Sequence, residues 1–457
     1  MIERAAIGAL LGREAQAWAR RHPRCAELAR QGARHFLYGV PMHWMNDWGP
    51  PGPLFVRRAS GATLECADGH DHVDFCLADS AAMFGHGPPE LSAALAARAP
   101  DGLGAMLPGT DAPLVGQLLA DRFGLPLWQF ALSASDAIRF SLRWARAVTG
   151  RTDLLVFDGC YHGTVADTLV DRAPRPAGEA AAQARRSLLG QVDDAPCHAR
   201  VVDFNDAAAL ERALADGRVA CVVAEPVMTN VGMVLPEPGF LQRLRELCTA
   251  SATLLLLDET HTFSSGPGGY TRQHGLQADL LVLGKAIAGG IPCAVYGFGH
   301  DLGARMRQAK DGAPPGHSGI GTTLAGNLLA LAALRATLER LATPQAYAAM
   351  HGAAQRLEAG LRAQIGRHAL PWCVTRVGAR CEFQFCPAPP RNGREARAAM
   401  DSELESAIHL YLLNRGFLVT PFHNMMLCAP ATSADDVDAF LAAFGDCVAE
   451  LRGAQAA

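Results

Sequence analysis

Lys285 closes the apolar run DLLVLG and is followed by the glycine-rich segment AIAGGIP. The chain carries 41 basic residues, of which only Lys285 and Lys310 are lysines. Arginine keeps its proton in a protein, whereas a partly buried lysine can become a neutral amine nucleophile. A lysine kept at this place is either a strand cap or an amine reserved for covalent chemistry. Lys310, in RMRQAKDG, reads as a solvated helix end.

Two further sets of residues bear on that choice. Asp258 ends the run TLLLLD, so an acid and an amine close two nearby apolar segments. They make either a structural salt bridge or the two fixtures of pyridoxal phosphate: a Schiff-base lysine and a carboxylate for the pyridinium nitrogen. In QFALSASDAIRFSLRW, a strand runs through Ser133, Ala134 and Ser135 into a helix. Ser or Asp before a helix is an N-cap by default, and free backbone N–H groups at such a start also suit a phosphate. Tyr161, in DGCYHG, offers an aromatic face for a planar ring. Lysine, carboxylate, anion cradle and aromatic are the parts this cofactor needs.

The elements that must position them are apolar runs ending in polar residues: DLLVF before Asp158, VACVVA before Glu225, TLLLL before Asp258 and DLLVLG before Lys285. Continuous apolar strands alternating with helices such as FLQRLRELCTA predict a mainly parallel sheet covered on both faces. Ligands bind such sheets beyond the carboxyl ends of the strands, where one site could collect all four residues. Residues 1–35 read as helical, and 54–76 as short antiparallel strands around an Asp68-Gly69 turn. Residues 171–200 read as a surface excursion, 311–327 as a Gly/Pro loop, and Leu328–Leu341 as a long helix. CVTRVG, RCEFQFC and GFLVTPF place strands in a smaller α+β unit near the C-terminus. The expected division is 1–75 as an N-terminal segment joining the small domain, 76–334 as the large domain and 335–457 as the small domain.

Composition narrows the partners. The formal net charge is −4, with no basic tract or Arg/aromatic interleaving, which speaks against nucleic acid. No apolar run reaches the roughly 18–20 residues of a membrane span. Thirteen cysteines without C-x-x-C pairs read as reduced, mostly buried thiols of a cytoplasmic protein. His70 and His72, in ADGHDHVDF, read as a solvated loop rather than a metal site, and no metal is expected.

At this point the chain resembles the class III aminotransferases of the type I pyridoxal-phosphate fold, in particular the glutamate-1-semialdehyde aminomutase-like branch. The resemblance spans roughly residues 50–430. It is carried by ASGATLECADGHDHVDF, GHGPPE, SASDA with LRWARAVTGR, DGCYHGT, EPVMTNVGMVLPEPGFL, LLLLDET, LGKAIAGGIP and GTTLAGN. It implies an α/β fold with a mostly parallel seven-stranded-type sheet in the large domain. It assigns the covalent cofactor bond to Lys285, the ring nitrogen to Asp258 and ring stacking to Tyr161, with His162 beside it. Ser133, Ala134 and Ser135 stand at the phosphate positions, and Glu225 opens the segment near the ring oxygen. Thr323 would reach the phosphate of a neighbouring subunit, implying a homodimer with shared sites.

The implied function is a pyridoxal-phosphate-dependent aminotransferase passing an amino group from an amino acid or similar amine to a keto acid. The alternative is an isomerase, an aminomutase or epimerase, on the same machinery. A binding protein on the same fold and a zinc hydrolase on His70 and His72 are the remaining rivals. Departures from the family fall mostly on the substrate side. SASDA replaces S-G-T-E-A, and Thr260 replaces an aliphatic residue. PMHWMNDW lacks the branch's arginine, and TPFHNMMLCAP lacks its acid, which speaks against the semialdehyde as substrate. Arg380, in VGARCEFQF, is a candidate carboxylate anchor, its alternative being a surface strand arginine. Trp44, Trp48, Phe422 and His423 are either an aromatic pocket wall or core packing of the small domain.

Overall fold

The structure is a computed structural model that describes residues 2–48, 51–173, 180–185, 187–192 and 195–453. The chain divides into two compact units. One comprises 89–344 with 390–398, and the other 1–88, 345–389 and 399–457.

Among the described residues, the first unit holds one seven-stranded sheet. Its strands are β1 (Leu127–Ala131), β2 (Asp153–Phe157), β3 (Ala199–Val202), β4 (Val219–Ala224), β5 (Leu254–Asp258), β6 (Leu280–Leu283) and β7 (Ala294–Phe298). They lie in the order β1-β7-β6-β5-β4-β2-β3. Every residue of β2, β4, β5, β6 and β7 is buried, as expected of strands covered on both faces. β6, β5, β4, β2 and β3 pair in parallel, and β7 runs antiparallel to both β6 and β1. Leu257 pairs with Ala224 and Asp258 with Val282, so Glu225, Asp258 and Lys285 leave the carboxyl ends of three neighbouring parallel strands.

The helix Ala134–Thr149 packs across this sheet against β1, β4, β6 and β7. Ser133 Oγ caps it by accepting from Asp136 N at 3.2 Å, and Gly150, left-handed at φ 67°, ends it. Ile138, Phe140, Leu142 and Ala145 form its buried stripe. Leu328–Ala336 is helical with a π turn at Thr337–Leu341, matching the expected long helix.

The second unit is α+β. Val56–Ser60, Thr63–Cys66 and Asp71–Asp74 form the expected antiparallel strands, extended in parallel by Phe417–Leu418. Cys373–Val377, Arg380–Gln384 and Met425–Leu427 form a second sheet. Its core packs Phe75, Phe383, Phe440 and Phe444 with Ile7 and Leu10 from the helix Arg4–Arg21.

Two loop readings are corrected. The solvated-loop reading of His70 and His72 fails at His72, which is buried in the strand Asp71–Asp74; burial, then His22, pushes its imidazole down to about 4. In the excursion 171–200, Val170–Arg172 and Ala182–Ala184 pair as a two-stranded sheet. Residues 174–179, 186, 193 and 194 of that segment lie outside the described residues.

Candidate active site

Lys285 sits two residues beyond β6 with a left-handed backbone, φ 48°. For a residue with a Cβ that conformation costs roughly 1–2 kcal/mol, so the surrounding packing must hold it there. Part of the holding comes from Gly284. A Cβ at that position would lie 2.8 Å from the Ala134 Cβ, so only glycine lets the lysine loop rest on the start of the Ala134–Thr149 helix. The Nζ of Lys285 lies 2.7 Å from Nε2 of the buried His261.

The loop after β2 docks on the same helix start. Gly163 has φ +78°, and a Cβ there would fall 2.1 Å from Ser135 Oγ. Thr164 N donates to that oxygen at 3.0 Å. The neighbouring His162, fully buried, places Nδ1 3.0 Å from Asp258 Oδ2, while Thr260 N donates to Oδ1 at 3.1 Å. Burial pushes the Asp258 carboxyl up, but the His162 bond and charge and the Thr260 amide more than offset it, holding it below the usual carboxylate range. Burial likewise works against a charged His162, yet Cys160 and Asp258 raise it well above the ordinary imidazole value. Asp258 is thus a buried anion with its own counter-charge. Glu225 behaves oppositely: burial pushes it up to about 7, opposed by His162 and the Thr229 hydroxyl.

These contacts gather Ser133, Ala134, Ser135, His162, Asp258 and Lys285 around the carboxyl ends of the sheet. Tyr161 is 38% exposed, which an ordinary buried tyrosine would not be. Asp158 turns away from this group, accepting from Arg172 N at 3.0 Å and pairing with Arg397. Thr323 is exposed on the loop before Asn327, the cap of the next helix. Lys310 is the exposed helix end expected of it.

The other candidates belong to the second unit. Arg380 is not a surface arginine: it is 0% exposed and donates to Ser80 Oγ and, at 3.2 Å, to Met425 Sδ. His423 is buried with Nδ1 3.0 Å from Glu382 Oε1. Core packing does not account for Trp44 and Phe422, which are 40% and 53% exposed. Trp48 is half-buried. Among the described residues, the group spaced to hold a metal is Cys25, Cys66 and Asp68, not His70 and His72. Asp68 already accepts from Arg24 N and Cys25 N.

Sequence reasoning passed over His261, although its place three residues after the end of β5 was the available signal. It also gave no reason for Gly163 and Gly284, whose need for close approach emerges only when two loops meet.

The arrangement fits pyridoxal phosphate. Two glycines keep the helix start clear of side-chain bulk, and Ser133 and Ser135 stand beside its free N–H groups. The donor set pairs a buried anion with an amine. Glu225 Oε1 and His162 Nε2 are buried polar atoms without a hydrogen-bond partner among the described residues, as expected where a polar ligand completes the bonding.

Comparison with known proteins agrees. The family model for Aminotransferase class-III matches residues 44–448. Glutamate-1-semialdehyde 2,1-aminomutase of Sorangium cellulosum (strain So ce56) is 33% identical over 87% of this chain and 89% of that protein. The crystal structure of a glutamate-1-semialdehyde-aminomutase from Pseudomonas aeruginosa PAO1 is 46% identical, with a TM-score of 0.95 over 98% of this chain and 99% of that one. The β-phenylalanine aminotransferase from Variovorax paradoxus is 26% identical with a TM-score of 0.84, covering 96% of this chain and 97% of that one. With its mixed seven-stranded sheet and these matches, the chain belongs to the class III aminotransferase family, which depends on pyridoxal phosphate.

Proposed function

We propose that this enzyme relocates an amino group on a small amino compound, as an isomerase of the aminomutase type, with Lys285 as its covalent anchor. The observation that carries the reading is the 46% identity over 98% of the chain to a protein named as such an aminomutase. The sequence alone favoured transfer to a separate keto acid; the relatives favour the isomerase alternative.

The bound cofactor supplies an electron sink that labilises the bonds at the substrate's amine-bearing carbon. Lys285 would hold it and supply the amine that moves a proton at that carbon. Asp258, kept ionised by His162, holds a proton on the ring nitrogen. Ser133, Ala134 and Ser135 bind the phosphate at the helix start, Tyr161 covers the ring, and Glu225 orders the ring-oxygen side. Thr323 completes the site of a second copy, which makes the working form a homodimer. Support for that assembly comes from exposed Leu103, Met106, Leu107 and Leu324 in the first unit.

Transamination remains the second reading, because PMHWMNDW and TPFHNMMLCAP lack the arginine and the acid of the aminomutase branch. Incubation with an amino donor and no keto acid separates the two. An isomer formed without keto product supports the mutase; stoichiometric keto product with the cofactor in its amino form supports transfer.

A further inference from the structure

The chain's lysine nucleophile touches a second titratable side chain. Lys285 Nζ and His261 Nε2 lie 2.7 Å apart, within hydrogen-bond distance. The acids beside His261 in sequence make bonds of their own. Asp258 is bonded to His162 and Thr260 N. Glu259 accepts from Tyr270 N at 2.7 Å, Thr262 Oγ1 at 2.9 Å and Thr271 N. Ionisable groups on the surrounding elements include Asp258 and Glu259 at the end of β5, His162 and Glu225 after β2 and β4, and Tyr270 beyond the turn. His261 is held in place by its own backbone, whose carbonyl accepts from Ser264 Oγ at 2.9 Å. Its ring is buried.

We propose that His261 is the base that makes Lys285 a nucleophile. The proton passes from Nζ to Nε2, leaving a neutral amine and an imidazolium. The amine then condenses with the cofactor's aldehyde carbon, forming one carbon–nitrogen double bond and releasing one water. Arginine at 285 could not enter this exchange, which accounts for a lysine in a chain that otherwise relies on arginine. This inference rests on the cofactor reading above, and it adds a proton acceptor for the step that loads the enzyme.

The test follows covalent capture of pyridoxal phosphate by the full cofactor-free chain, quenched with borohydride and read as the masses of the Lys285 and Lys310 peptides. His261→Gln keeps a polar side chain but cannot take the proton. We expect it to slow capture at Lys285 about 100-fold, with added imidazole restoring at least about tenfold as its free-base fraction grows. Thermal unfolding should be unchanged. Capture within about threefold of the wild-type rate overturns the proposal, and so does a slowed rate that imidazole fails to restore. If His261→Gln does not fold, His261→Asn takes its place. On the unaltered chain, capture should run about twofold slower or more in heavy water, and equal rates would overturn the proposal. Failure of the cofactor reading shows differently, as no label on Lys285 in the wild-type protein.

Discussion

Two carboxyl groups at the same end of the sheet are driven in opposite directions by their neighbours. Asp258 has His162 as counter-charge and stays ionised, while Glu225 is buried with one oxygen on Thr229 and is pushed up to about 7. The folded chain therefore holds a proton on Glu225 that the unfolded chain releases in the ordinary carboxyl range. Because the folded value is raised, the resulting stability is present in full below about pH 4.5 and is lost as pH rises through about 7. Glu225→Gln should remove that dependence. Between pH 4.5 and 7.5 the wild type should lose on the order of 3 kcal/mol relative to the variant, measured by denaturant unfolding. Parallel curves would show that Glu225 is not protonated in the fold. At this scale the sequence made Lys285 and Asp258 legible, because each ends an apolar run. The contacts His162–Asp258 and His261–Lys285 were not, since they join residues 96 and 24 positions apart through loops whose course no local pattern specifies.

Elements decide where those side chains meet. The start of the Ala134–Thr149 helix is the common floor, and two glycines admit the loops that rest on it. Gly163→Ala would place a methyl against Ser135 and force a left-handed backbone on a residue with a Cβ. A loss of about 2–4 kcal/mol in stability and weaker cofactor binding are expected, from unfolding and cofactor titration. Gly12→Ala is the control. It lies inside the helix Arg4–Arg21 with open space around it and should gain up to about 1 kcal/mol. The buried parallel strands were readable from their apolar runs. The direction of β7 was not, because AVYGF reads the same either way. Ten residues, 284–293, separate it from β6. A parallel return needs a crossover of a dozen or more, so the strand comes back antiparallel.

At the scale of the molecule, apolar side chains stand out in solvent in each unit: Leu103, Met106, Leu107 and Leu324 in one, Phe36, Leu37, Tyr38 and Met42 in the other. Leu329 N donates to Leu103 O at 3.3 Å, tying the helix after Leu324 to the loop that carries Leu103. Covering such a surface is the ordinary function of a second copy. Sedimentation at micromolar concentration should give twice the 48.4 kDa chain mass, and Leu107→Asp should shift the protein towards monomer with reduced cofactor occupancy. A wild-type monomer with full occupancy would contradict shared sites. Neither the proposed partner surface nor the role proposed for Thr323 has a local sequence pattern, which is why only the resemblance raised them. The central claim is that Lys285 carries the cofactor, and the two-lysine composition makes its test unusually clean. Borohydride reduction of the loaded enzyme should abolish the visible absorption and leave the cofactor's mass on the Lys285 peptide alone, with Lys285→Ala unlabelled and inactive. Label on Lys310, or full turnover by Lys285→Ala without added amine, would contradict it.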